Sequence, residues 1–175
     1  MIEIEVDPVD LVERSVASFP VDLDSGVGSS KYVRVREGSH CWVVKVGTGA
    51  PGEPWLHGAF DVGLTGVVLI CGAGHANLVS TANPANSVLL PTFPVLALTK
   101  GSRELPCVLN TFNDLVAIRS DASWWIVKGV SADGFRGIVI RRDTVCFEVW
   151  VPERSEWESH KLSVVNGHGP ADEGR

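Results

Sequence analysis

From Lys31 onward, apolar and polar residues alternate in short runs separated by turn-forming residues. Tyr32-Val33-Arg34-Val35-Arg36 puts Val33 and Val35 on one face of a strand and Tyr32, Arg34 and Arg36 on the other, so one face meets water. Cys41 to Val46 repeats the pattern with Trp42, Val44 and Val46 as the charge-free face, which marks that face for the core. Further strands are expected at Gly66–Cys71, Ser87–Leu90, Val95–Thr99, Pro106–Leu109, Leu115–Arg119, Ser123–Val130, Phe135–Arg141 and Thr144–Val151. Val, Ile, Trp and Phe fill these runs, and the gaps hold Gly, Pro, Asn, Asp or Ser, as successive hairpins require. Ser131-Ala132-Asp133-Gly134 reads as the clearest hairpin loop, and Arg142-Asp143 as a tighter one.

One segment breaks the two-residue period. Asp7-Pro8 offers a helix start, and Val9, Val12, Val16 and Phe19 then fall on one helical stripe before Pro20 ends it. The chain is thus expected to be mainly β, an antiparallel sandwich or partly open barrel, with one N-terminal helix over residues 8–19. Four such apolar side chains, at about 1.5 to 3 kcal/mol each, would decide the docking of that helix. Exposed ion pairs to Arg34 or Arg36 would add at most about 1 kcal/mol apiece.

Length and charge narrow the picture. A chain of 175 residues suits one domain, expected over 1–165, and residues 166–175 have lost every apolar signal and read as a disordered tail. The longest uncharged run, Val62–Thr99, is interrupted by Gly, Asn and Pro and offers no spanning helix. The start, Met1-Ile2-Glu3-Ile4-Glu5, is not a secretory signal, so a cytoplasmic location without membrane contact is the expectation. Residues 1–30 hold seven acids and one base, which equals the whole net charge of −6 and leaves the remainder neutral. Without a clustered basic excess, nucleic acid is not an expected partner.

Candidate chemistry is sparse. In Gly66-Val67-Val68-Leu69-Ile70-Cys71-Gly72-Ala73-Gly74-His75-Ala76-Asn77 the glycines suggest a dinucleotide fingerprint, but Asn77 stands where the third glycine belongs. Ser80 to Pro84 does not carry a helix, and the next acid after Asp61 is Glu104. The stretch therefore reads as a strand buried on both faces leading into a Gly-rich turn. Cys41, Cys71, Cys107 and Cys146 are scattered, with no zinc or redox spacing, and read as reduced, small apolar residues.

Cys71, His75 and Asn77 form the speculative catalytic set: a thiolate nucleophile, an imidazole base and an orienting amide. His57 and Asp61, in an apparently exposed Gly-containing segment, form a second polar pair, and no metal or cofactor is called for. Among the six tryptophans, Trp42 and Trp150 fit strand packing, while Trp55 and Trp157 lie outside the expected strands. The adjacent Trp124 and Trp125 must face opposite sides of an extended segment. Trp55, His57, Asp61, Trp124 and Trp157 are accordingly the candidate binding residues. A non-catalytic binding module for a protein or small-molecule partner is the leading expectation. A small enzyme with a Cys/His or His/Asp site at one end of the sheet is the alternative.

Overall fold

The computed structural model describes residues 1–8 and 28–163. These residues carry fourteen strands and no helix: β1 Ile2–Val6, β2 Ser30–Glu37, β3 His40–Gly47, β4 Gly58–Asp61, β5 Val67–Gly72, β6 His75–Ser80, β7 Ser87–Leu89, β8 Ala97–Lys100, β9 Cys107–Asn110, β10 Leu115–Ile118, β11 Trp124–Val127, β12 Phe135–Arg141, β13 Thr144–Val151 and β14 Glu156–Ser163. The protein is mainly β. Every pairing is antiparallel, and the strands form four sheets ordered β1-β2-β3, β4-β5-β6-β7, β11-β10-β9-β8 and β12-β13-β14. Within each sheet a strand pairs with its neighbour in sequence, and, apart from β1 and β2, which residues 7–29 separate, the paired strands are joined by six residues or fewer. The helix expected over 8–19 lies, save for Pro8, outside the described residues, as does the tail at 166–175.

The chain divides into two compact units, Met1–Val95 and Leu96–Arg175. In the first, one apolar cluster draws on two sheets: Val33 and Val35 of β2, Trp42, Val44 and Val46 of β3, Val68 and Ile70 of β5, and Val79 of β6. Burying each of these valines and isoleucines contributes about 1.5 to 3 kcal/mol before chain entropy is subtracted. The Trp42 face is thus the core face. Its indole Nε1–H donates to the Thr81 carbonyl at 2.9 Å, and the Thr81 hydroxyl donates to the Glu37 carboxylate. In the second unit the cluster again draws on two sheets, with Val108, Leu115, Ala117 and Val127 on one and Val145, Phe147, Val149 and Leu162 on the other.

Four strands lie where the sequence assigns none. In β1, Ile2 and Ile4 pack on the first cluster. Glu3 and Glu5 stand opposite Arg36 and Arg34, at 3.8 Å and 2.9 Å. The pairing uses the charge of the acidic N-terminal stretch to match the wet face of β2. Segment 57–61, expected as an exposed loop, contributes β4, which pairs with β5 from Gly58 to Asp61. The segment after Gly74, expected as a loop, is β6, buried on both faces from Ala76 to Val79. β14 is polar enough to read as surface, yet it pairs with β13 along its whole length.

One expected hairpin is corrected. Ser131–Gly134 does not join a pair, because β11 pairs only with β10 and β12 only with β13. Turn chemistry is present there: the Ser131 hydroxyl donates to the Gly134 carbonyl at 2.5 Å. The amides of Val130 and Ser131, however, donate back to the Asn113 carbonyl at 2.8 and 3.3 Å, which fixes the chain to the sheet it is leaving. Arg142-Asp143 does turn β12 into β13, with Arg141 opposite Thr144.

The glycine-rich stretch is a hairpin tip. Gly72 stands opposite His75, and the two residues between them have φ of +49° for Ala73 and +81° for Gly74. Two consecutive positive φ values define the mirror-image turn that suits the twist of paired strands, and glycine takes that conformation at little cost. A methyl group added at Gly74 would also come within 2.6 Å of the Phe93 ring. Gly74→Ala is therefore expected to lower stability by about 1 to 2 kcal/mol in urea unfolding. Gly38→Ala, at φ +58° with open space for the methyl, isolates the backbone part. Equal losses at the two positions would show that the Phe93 contact has no weight.

Candidate functional site

The tip of the β5–β6 hairpin anchors a group of aromatic side chains. Val95 N–H donates to the Gly74 carbonyl and Leu56 N–H to the Val95 carbonyl, each at 2.9 Å, and Ala73 N–H donates to the Gly47 carbonyl at 3.2 Å. The end of β3 and the segment at Val95 are thereby tied directly to one turn, and the segment at Leu56 is tied to it through Val95. The Phe93 ring packs between His75, at a centroid distance of 4.9 Å, and Trp55, at 5.9 Å. Glycines allow this close seating: an added methyl would come within 2.8 Å of the Trp55 ring at Gly49, as it would within 2.6 Å of Phe93 at Gly74. His57 Nδ1 lies 3.2 Å from the Trp55 carbonyl oxygen, so the tautomer carrying its proton there donates to that oxygen. Phe93 nevertheless remains 55% exposed. The result is a partly exposed aromatic group on a hydrogen-bonded backbone, with His75 against Phe93 and His57 beside the Trp55 carbonyl.

Trp55, His57 and His75 are therefore brought into one neighbourhood, and Phe93 completes it. Its sequence signal is a large apolar residue in Pro91-Thr92-Phe93-Pro94, between two strands, where prolines prevent laddering. Asp61 stands at the opposite end of β4 from His57, and its carboxylate accepts from the Gly63 amide at 2.8 Å, closing a turn.

Cys71 and the His75/Asn77 pair do not converge. Gly72 is opposite His75, so the pleat puts Cys71 on one face of the sheet and His75 and Asn77 on the other. Cys71 is fully buried. Asn77 is fully buried as well, opposite Ile70, on the face that carries Ile70 and Val79 into the core. Neither its Oδ1 nor its Nδ2 has a hydrogen-bond partner.

In the second unit, Trp125 packs on the core and Trp124, opposite Ile118, takes the other face, both half-buried. Trp157 pairs with Trp150 across β13 and β14, with ring centroids 5.6 Å apart. The Arg136 guanidinium lies 4.3 Å over the Trp157 ring and donates through Nε to Glu148 at 2.6 Å. That ring face is already occupied. Burial pushes the Cys107 thiol up to about 12, which leaves it protonated and unreactive at neutral pH. Among the described residues no group of three or more His, Cys, Asp or Glu side chains is placed to hold a metal ion. None of their helices is long and apolar enough to cross a membrane, there being no helix among them.

The antiparallel sheets define a mainly β protein, and its first unit carries a partly exposed aromatic group. No family model matches the chain, and no curated protein matches it. A solved structure, the N-terminal domain of Nup159, is similar with a TM-score of 0.34 and 12% identity over 93% of this chain and 50% of that one. A likeness that loose defines neither the fold nor the function of this protein.

The unpartnered Asn77 amide sets a direct test. A buried polar group without a partner costs about 1 to 3 kcal/mol, so Asn77→Leu, of similar volume, is expected to stabilise the protein by that order in urea unfolding. A loss of stability would mean that the amide is hydrogen-bonded in solution.

Proposed function

We propose that this protein is a non-catalytic binding module that recognises a protein or small-molecule partner through the Trp55–Phe93–His75 surface. The observation that carries the reading is Phe93: a large apolar ring left more than half exposed while the backbone around it is tied down by hydrogen bonds. A rigid aromatic anchor loses little conformational entropy on binding, which is why such residues dominate contact energetics. The two sheets of each unit, read as a sandwich, serve as the scaffold, and the protein acts in the cytoplasm without nucleic acid or membrane. The rival reading, a thiol–imidazole enzyme, needs the Cys71 and His75 side chains on one side of the sheet, and the β5–β6 register argues against it.

Phe93→Ala separates binding from folding. Truncating the ring gives up its packing against Trp55 and His75, about 0.5 to 1.5 kcal/mol for each pair, and urea unfolding reads that part separately. Loss of a binding anchor costs about 2 kcal/mol or more in affinity, roughly a thirtyfold weakening. Parallel affinity capture with wild-type and Phe93→Ala protein, both kept well below their melting temperatures and read by mass spectrometry, is expected to retain a molecule on the wild type that the variant loses. Equal retention by both would remove the surface from the account.

A further inference from the structure

The second unit contains a cavity of about 230 Å³ between β11 and β14. Each of these strands is the last in its sheet, so the cavity opens where both sheets end. Its apolar wall comes from Val127, Val130, Phe147 and Leu162. The His160 imidazole lies nearly parallel to the Phe147 ring, at 5.7 Å and 12°, and gives the wall a flat face. The charged lining residues, Lys128 and Lys161, are both exposed bases, and no acid is among the lining residues. Carboxylates border it at two points: Asp114 accepts from the amide of Gly129, a lining residue, at 2.9 Å, and Glu158, 4.0 Å from His160 Nε2, is bound by the Arg154 guanidinium.

We propose that this cavity binds a small organic anion, a carboxylate on a short or flat apolar body. The body enters between Val127, Val130 and Leu162 and lies against the Phe147–His160 face. The carboxylate stays at the mouth on the Lys128 side, since the β13–β14 register turns Lys161 to the face opposite His160 and Leu162, and with no acid in the lining an anion is the complementary charge. The site requires little reorganisation, because β11 and β14 are held by β10 and β13 along their lengths. This inference does not rest on the aromatic surface of the first unit, and its readout falls on different residues.

Octanoate, octanol and octylamine share a chain and differ in charge, which makes them the probes. Titrated separately into the full-length protein, octanoate is expected to shift the methyl resonances of Val127, Val130 and Leu162 and the ring resonances of His160 at the lowest concentration. Octanol should follow more weakly, and octylamine more weakly still. Lys128→Glu is expected to weaken octanoate about tenfold or more, since it reverses a charge at the mouth, while leaving octanol unchanged. Equal affinity for octanoate and octanol, tighter binding of octylamine, or shifts confined to other residues would each overturn the proposal. So would saturation of the same resonances by an extended acidic peptide but not by octanoate, since that would mark the open strand edges as the site. The three wild-type titrations decide the matter even if the variant does not fold.

Discussion

The two-residue period of a strand, applied to sheets that bury a face in a common cluster, is the constraint on which the rest of this structure depends. In the first unit Val33 and Val35, Val44 and Val46, Val68 and Ile70 each lie two residues apart, and all six side chains enter the same cluster. A slip of one residue in any of these strands would exchange a buried valine for Arg34, Lys45 or a neighbour on the opposite face, so register is strongly specified. The charges follow from that register. Glu3 and Glu5 meet Arg36 and Arg34 because Ile2 and Ile4 face inward. The exposed Arg36–Glu3 pair contributes at most about 1 kcal/mol, less than the apolar burial that aligns it, while the Arg34 side chain of the other pair is largely covered.

The aromatic surface depends on the same register. Gly72 must pair with His75 for Ile70 and Asn77 to stand opposite one another, and this leaves two residues for the turn. That turn then supplies the Gly74 carbonyl that accepts from Val95 and the open space against which Phe93 rests. The core thus determines where the exposed ring sits. The same strand alternation puts Cys71 and His75 on opposite faces, so the register that seats the Phe93 ring also keeps that thiol and imidazole apart.

Much of the architecture was legible in the sequence because it rests on local alternation. Val33/Val35 and Trp42/Val44/Val46 declare their faces without help from any partner. β5 was legible for a different reason: six apolar or small residues ending in a glycine turn fit a strand covered on both faces. β6 was not, because Asn77 at its centre and His75 at its start look like loop chemistry, and only burial against Ile70 and Val79 shows otherwise. β14 was hidden in the same way, since Glu156, Glu158 and Lys161 are surface residues of a strand whose pairing is supplied by β13. Ser131–Gly134 carries turn chemistry but joins no hairpin, because turn chemistry does not say which sheet the chain enters next. Of the candidate site, Trp55, His57 and His75 were visible as unusual residues. Their meeting at Phe93 was not, since it depends on backbone bonds between segments distant in sequence.

Native-state hydrogen exchange tests the shared core most directly. If burial from both sheets holds the first unit together, the hydrogen-bonded amides of β2, β5 and β6 should exchange through one common opening, with the same free energy and the same dependence on denaturant. Exchange from β5 and β6 through a separate opening of lower free energy, with β2 still protected, would contradict the account.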